Sequence, residues 1–309
     1  MLRALFISLC LLAVPAGVRA QDGPAAPPAP STPPATTALA VPVTPAEPVE
    51  PGPWAVPASV MLPRDILVQP IADWTPADGR DTISLDVDGV TLRGFSYAGS
   101  DATMPTLLFF EGDRGRDHAC DAFFRAIAKA GPRVVVFDYR GYGFSGGRPD
   151  VLAFERDGLR IFDSLSADGT SRVAVMGYSL GTGIATSVAL RRKSAGLLLA
   201  APFANAKELL PVYMTALGVP ASDMPYVMPS YGFAEFTDNA KRVAMTRVPL
   251  LVIHGSDDTL VPIDQGREVF EASRAATKRM VEVLGAKHDN VLGSPAALYA
   301  IDRFIALLR

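Results

Sequence analysis

Histidine, cysteine and tryptophan are scarce: three, two and two in 309 residues. Cysteines at positions 10 and 120 alone cannot make a disulfide framework, and His118, His254 and His288 are scattered without the spacing of a metal-ligand set. Charge of either sign is also thin. The 29 basic and 32 acidic residues leave a net charge of −3 with no basic cluster, which argues against nucleic acid as a partner. The apolar run near the start, Ala4 to Val14, is shorter than the roughly 20 residues of a spanning helix and is closed by Pro15.

Arg3, that apolar run and "PAGVRA" before Gln21 have the charged, hydrophobic and small-residue regions of a secretory signal. Residues 1–20 are expected to direct export to the periplasm or medium, an uncleaved membrane anchor being the alternative. A lipoprotein would need a cysteine just after the apolar region, whereas Cys10 lies within it. Removing the segment takes away two arginines and no acid, moving the net charge from −3 to −5, and leaves Cys120 without a partner for an internal disulfide. Residues 21–57 hold 12 of the 27 prolines among Ala, Thr and Val, the composition of an extended, solvated tether that cannot bury a core. Such a tether could bring the remainder, residues 58–309, close to a membrane or the cell envelope.

With 49% hydrophobic and 20% charged residues the chain can build a sizeable core. "TISLDVDGVTLRGFSY" alternates on either side of Asp88-Gly89, a dipeptide suited to a two-residue hairpin. Beyond it, "TLLFF", "RVVVFDY", "RVAVMG", "GLLLAA" and "PLLVIHG" are short continuous apolar runs, as strands buried on both faces require. Amphipathic stretches at 117–129, 151–166, 180–192, 264–276 and 295–308 read as helices. The pattern predicts an α/β fold, a mostly parallel sheet with helices on both faces and an antiparallel N-terminal hairpin. Residues 203–247, rich in Met, Tyr, Phe and Pro, lack a strand pattern and are expected to form a small helical lid.

Within "VMGYSLGTGIAT", Ser179 stands between Gly177 and Gly181, where a strand-like run gives way to a helix-like one. Glycines on either side let strand and helix approach closely while a sharp turn exposes the serine, and the amides opening the helix favour negative charge. A serine hydroxyl needs a base. His288, in "EVLGAKHDNVL" before the last helix, suits a loop over the carboxyl edge of the sheet, whereas His254 ends a strand and reads as structural, and His118 lies far upstream. An acid between Ser179 and His288 in the chain is supplied by "IHGSDDTLVP", where Asp257 and Asp258 are adjacent candidates.

"FDYRGYGFSGGRP", "VMGYSLGTGIA", "LVIHGSDDTLVP" and "GAKHDN" together resemble the alpha/beta-hydrolase superfamily over about residues 82–309. The chain is most similar to its lysophospholipid lipases, depalmitoylating enzymes and bacterial esterase or dienelactone-hydrolase-like members. That resemblance implies Asp258 as the acid and His288 as the base. It implies no cofactor, a small-molecule ester or acyl substrate, and cleavage of carboxylic esters or thioesters through an acyl-enzyme on Ser179. A peptidase or acyltransferase would share the same three residues, and a non-catalytic scaffold would keep only the fold. "GYGFSG" is a literal Gly-x-Gly-x-x-Gly, but it lies inside the fold and Pro149 delays the following helix, so Gly141, Gly143 and Gly146 read as turn formers and not as a dinucleotide site. One departure stands out: where such hydrolases carry His-Gly-Asn-x-Gly, this chain has "EGDRGR", with Glu111 for the histidine. The resemblance implies an oxyanion hole from the backbone N–H groups of Asp113 and Leu180, with Arg114 or Arg116 available to pair the Asp113 carboxylate.

Overall fold

A computed structural model describes residues 79–113, 118–169, 171–206, 209 and 238–309. The expected signal (1–20), the tether (21–57) and most of the expected lid segment lie outside the described residues, as do Arg114 and Arg116.

Among the described residues eight strands form one sheet and six helices flank it. In chain order these are β1 (Arg80–Val87), β2 (Val90–Tyr97), β3 (Thr106–Phe110), α1 (His118–Lys129), β4 (Val134–Phe137), α2 (Val151–Leu165), β5 (Val173–Tyr178), α3 (Leu180–Arg191), β6 (Leu197–Ala200), α4 (Asn239–Met245), β7 (Leu250–Gly255), α5 (Ile263–Ala272), β8 (Lys278–Val283) and α6 (Pro295–Ala306). The strand order is β1-β2-β4-β3-β5-β6-β7-β8, with β1/β2 and β2/β4 antiparallel and the remaining pairs parallel. Asp88 and Gly89, both at positive φ (50° and 76°), close the β1–β2 hairpin as their residue types allow.

Successive residues of the parallel strands feed opposite layers, which is why their sequences are apolar without alternation. Leu108, Val175, Leu199 and Val252 pack against Phe154 and Ile161 of α2, Ile184 and Val188 of α3, Val243 of α4 and Val269 of α5. Their neighbours Leu107, Phe109, Met176, Leu198 and Ile253 pack on the other side with Phe124 of α1 and Ile301 and Phe304 of α6. Helix α3 is buried from Gly181 to Ala189, so the half-buried turn that starts it rests on a fully packed helix. Within the expected lid segment, α4 joins the layer beside α3 and α5 through Ala240 and Val243. Among the described residues no helix is long and apolar enough to cross a membrane.

Helix α5 stops at Ala272, four residues short of the amphipathic pattern. The side chain of Lys278, entering β8, donates to the carbonyls of Phe270 and Ser273 (both 2.9 Å) and satisfies the helix end there. All parallel strands run in one direction, so the residues following β3, β5, β7 and β8 gather at one edge of the sheet. The chain reverses its direction of travel across the sheet between β3 and β5, the position at which open α/β sheets bind ligands.

Candidate active site

Strand β5 ends at Tyr178 and α3 begins at Leu180, leaving one residue, Ser179, to make the turn. It does so at φ 51°, ψ −117°, a conformation that costs a residue with a side chain on the order of 1–3 kcal/mol. Contacts on both sides hold it there. A Cβ on Gly177 would overlap the Gly181 carbonyl, and one on Gly181 would overlap the carbonyls of Phe110 and Glu111, so neither position admits a larger residue without displacing backbone. The Ser179 N–H donates to Ala200 O (3.0 Å), and its carbonyl accepts from both the amide (2.9 Å) and the hydroxyl (2.6 Å) of Thr182. A serine before a helix ordinarily caps it with its hydroxyl; Ser179 makes no such bond. Its Oγ instead lies 2.9 Å from His288 Nε2.

His288 arrives on the loop between β8 and α6. The Tyr178 hydroxyl donates to its backbone carbonyl (2.7 Å), and the two rings lie 5.3 Å apart, tilted by 33°. The residue preceding Ser179 therefore also anchors the histidine loop. On the far side of the imidazole, Nδ1 is 2.7 Å from Asp258 Oδ2. The other carboxylate oxygen of Asp258 accepts from the amides of Leu260 (3.0 Å) and Val261 (2.8 Å). Burial, the largest influence, pushes the Asp258 carboxyl up, but hydrogen bonds from His254 and His288, the His288 charge and the Val261 amide together outweigh it and hold it below the usual carboxylate range. Because the carboxylate is ionised, Nδ1 of His288 carries the hydrogen and Nε2 presents a lone pair to the serine hydroxyl. Asp257, next in the chain, is exposed and accepts from Ser256 Oγ at 2.7 Å.

The β3 loop passes on the opposite side of the serine. A Cβ on Gly112 would stand 3.6 Å from Ser179 Cβ and 3.2 Å from the Tyr178 ring, so the chain toward Asp113 runs along the Ser179 turn. Glu111 is only 2% exposed, and its carbonyl accepts from the Tyr139 hydroxyl at 2.7 Å. Burial, followed by the charges of Glu111, Tyr142 and Asp113, pushes that hydroxyl well up, so it remains a donor. At the start of α3 the Leu180 and Gly181 amides precede any intrahelical acceptor, as at any helix N-terminus. The "GYGFSG" stretch forms a closed turn, Gly141 N–H donating to Gly146 O (2.8 Å) and Phe144 N–H to Asp138 Oδ2 (2.9 Å). Gly141 (φ 76°) and Gly143 (φ 47°) supply its left-handed positions.

His254, read as a structural residue at a strand end, is 0% exposed and reaches the same carboxylate: Nε2 lies 2.8 Å from Val261 O and 3.4 Å from Asp258 Oδ2. The approach depends on the tight fold of Gly255 to Val261, a feature that residue spacing does not reveal.

Comparisons with known proteins agree with this architecture. The family model described as serine aminopeptidase, S33, matches residues 105–230. Lysophosphatidylserine lipase ABHD12 of Macaca fascicularis is 30% identical over 244 residues, covering 73% of this chain and 59% of the lipase. The chain thus spans little more than half the length of that relative. A protein of Mycobacterium tuberculosis is 30% identical over 233 residues, 74% of this chain and 79% of its own. An esterase structure from Pyrococcus furiosus superposes with a TM-score of 0.61 at 18% identity, covering 78% of this chain and 98% of the esterase, a likeness of fold alone. On its sheet order, its strand-turn-helix serine and these relatives, the chain belongs to the alpha/beta-hydrolase family of serine hydrolases.

Proposed function

We propose that the protein is an esterase- or lipase-like hydrolase acting on carboxylic esters or thioesters through an acyl-enzyme on Ser179. The observation that carries this reading is the continuous line Ser179 Oγ, His288 Nε2, His288 Nδ1, Asp258 Oδ2, with separations of 2.9 Å and 2.7 Å across the two hydrogen bonds. Ser179 Oγ bonds to the acyl carbon as its proton passes to His288 Nε2, and the carbonyl electron pair moves onto oxygen. The N–H groups of Leu180 and Asp113 receive that oxyanion. Collapse expels the alcohol or thiol, which takes the proton from His288, and water repeats the sequence to release the acid. Asp258 fixes the tautomer and stabilises the imidazolium. Residues 1–20 serve export in this reading, supported by their charged, apolar and small-residue pattern.

The names of the relatives order the substrates to try. The lipases make monoacyl phospholipid esters the first natural class, and the description of the family model makes aminoacyl amides the second. A p-nitrophenyl ester series from acetate to palmitate, together with lysophosphatidylserine and aminoacyl p-nitroanilides, separates them. Ester turnover that is lost in Ser179→Ala is the expected result; amide turnover without ester turnover would replace the esterase reading by a peptidase.

A further inference from the structure

We propose that His254 is a positioning residue for the triad: its Nε2–H, shared between Val261 O and Asp258 Oδ2, sets the orientation and hydrogen-bonding strength of the carboxylate that serves His288. This inference rests on the function proposed above. A carbonyl oxygen only accepts, so the 2.8 Å contact with Val261 O places the hydrogen on Nε2. The same nitrogen lies 3.4 Å from Asp258 Oδ2, the oxygen that already accepts from His288 Nδ1 at 2.7 Å. Two imidazoles therefore converge on one carboxylate oxygen, while amides hold the other. By bonding Val261 O, His254 also fixes the short loop whose N–H groups grip Asp258 Oδ1, so both oxygens depend on it.

The opposite edge of the ring is equally constrained. Nδ1 of His254 has no hydrogen-bond partner among the described residues. It faces Gly266 of α5 so closely that a Cβ there would overlap it. The ring thus has one hydrogen-bonding edge, Nε2, and one edge packed against the helix backbone. A bare structural histidine would not need both a glycine cut-out in a helix and a direct approach to the triad acid.

Other charges around the ring are already engaged or turned to solvent. Glu282, opposite His254 in the β7–β8 register, is held by Arg267 of α5 at 2.8 Å and 2.9 Å, and the same arginine holds Asp264 at 2.9 Å. Asp257, Lys287 and Asp289 are exposed. A donor on Asp258 Oδ2 draws charge from the carboxylate; without it the carboxylate stabilises the His288 imidazolium more, and the base is lost to protonation at higher pH.

The test is the pH profile of kcat/KM with p-nitrophenyl butyrate for the wild-type full chain, His254→Leu, His254→Gln and Gly266→Ala. Leucine fills the space without a donor, and glutamine keeps an N–H near the Nε2 position. His254→Leu should lower kcat about tenfold with little change in KM and move the acid limb up by about half a pH unit. Glutamine should return the limb to its wild-type place. Gly266→Ala, which displaces the ring without removing it, should also move the limb. If His254→Leu does not fold, Gly266→Ala decides. A limb unmoved in the folded variants, whatever their thermal stability, would overturn the proposal. A wild-type protein that hydrolyses no ester would instead overturn the function on which it rests, so the two failures are distinct.

Discussion

Both oxygens of Asp258 are occupied, Oδ1 by the Leu260 and Val261 amides and Oδ2 by His288, while the residue is 5% exposed. Its neighbour Asp257 spends its carboxylate on Ser256 in solvent. Two adjacent aspartates, indistinguishable by composition, thus have separate work. Asp258→Asn keeps the shape but cannot hold the imidazole in the same tautomer, and kcat should fall on the order of 10⁴-fold. Asp257→Asn should leave kcat within a few-fold of wild type. Steady-state rates of the two variants check this, and equal losses would reassign the acid. At this scale the sequence was legible where chemistry limits the choice: one serine between glycines and one loop histidine downstream. It was opaque for His254, whose approach to Asp258 depends on the path of the Gly255–Val261 loop, and for Glu111, whose burial beneath the β3 loop no local pattern announces.

Strand β5, the one-residue turn and α3 behave as a single device. Burial of α3 from Gly181 to Ala189 gives the turn a rigid support, and Gly181 lets the helix start directly against the carbonyl ends of β3. Alanine is the better helix former by about 1 kcal/mol, so on propensity alone Gly181→Ala should stabilise. Overlap with the Phe110 and Glu111 carbonyls reverses that expectation. The variant should melt lower than wild type and lose most esterase turnover, which thermal unfolding and rate measurement together would establish. A higher melting temperature with full activity would mean that the turn has more room than the structure gives it. The elements themselves were readable because both-face burial demands continuous apolar runs, and those runs are the parallel strands. Helix α5 ended early because Lys278, remote in pattern though near in chain, supplies its terminal hydrogen bonds.

Across the whole molecule, the parallel topology brings the ends of β3, β5, β7 and β8 to one edge, so a serine, an aspartate and a histidine separated by up to 109 positions meet within hydrogen-bonding distance. Order along the chain predicted the meeting, but spacing could not give the distances or show how Tyr178 ties the Ser179 turn to the histidine loop. Labelling the intact protein with a fluorophosphonate and mapping its peptides by mass spectrometry asks whether Ser179 is an activated nucleophile. It requires an activated serine and an oxyanion site but no knowledge of the substrate. One adduct per chain is expected, on Ser179, absent in Ser179→Ala and greatly slowed in His288→Ala; in exported material the same map should begin at or near Gln21. A folded wild-type protein that takes up no label, or takes it up at another serine, would mean that Ser179 is not an activated nucleophile.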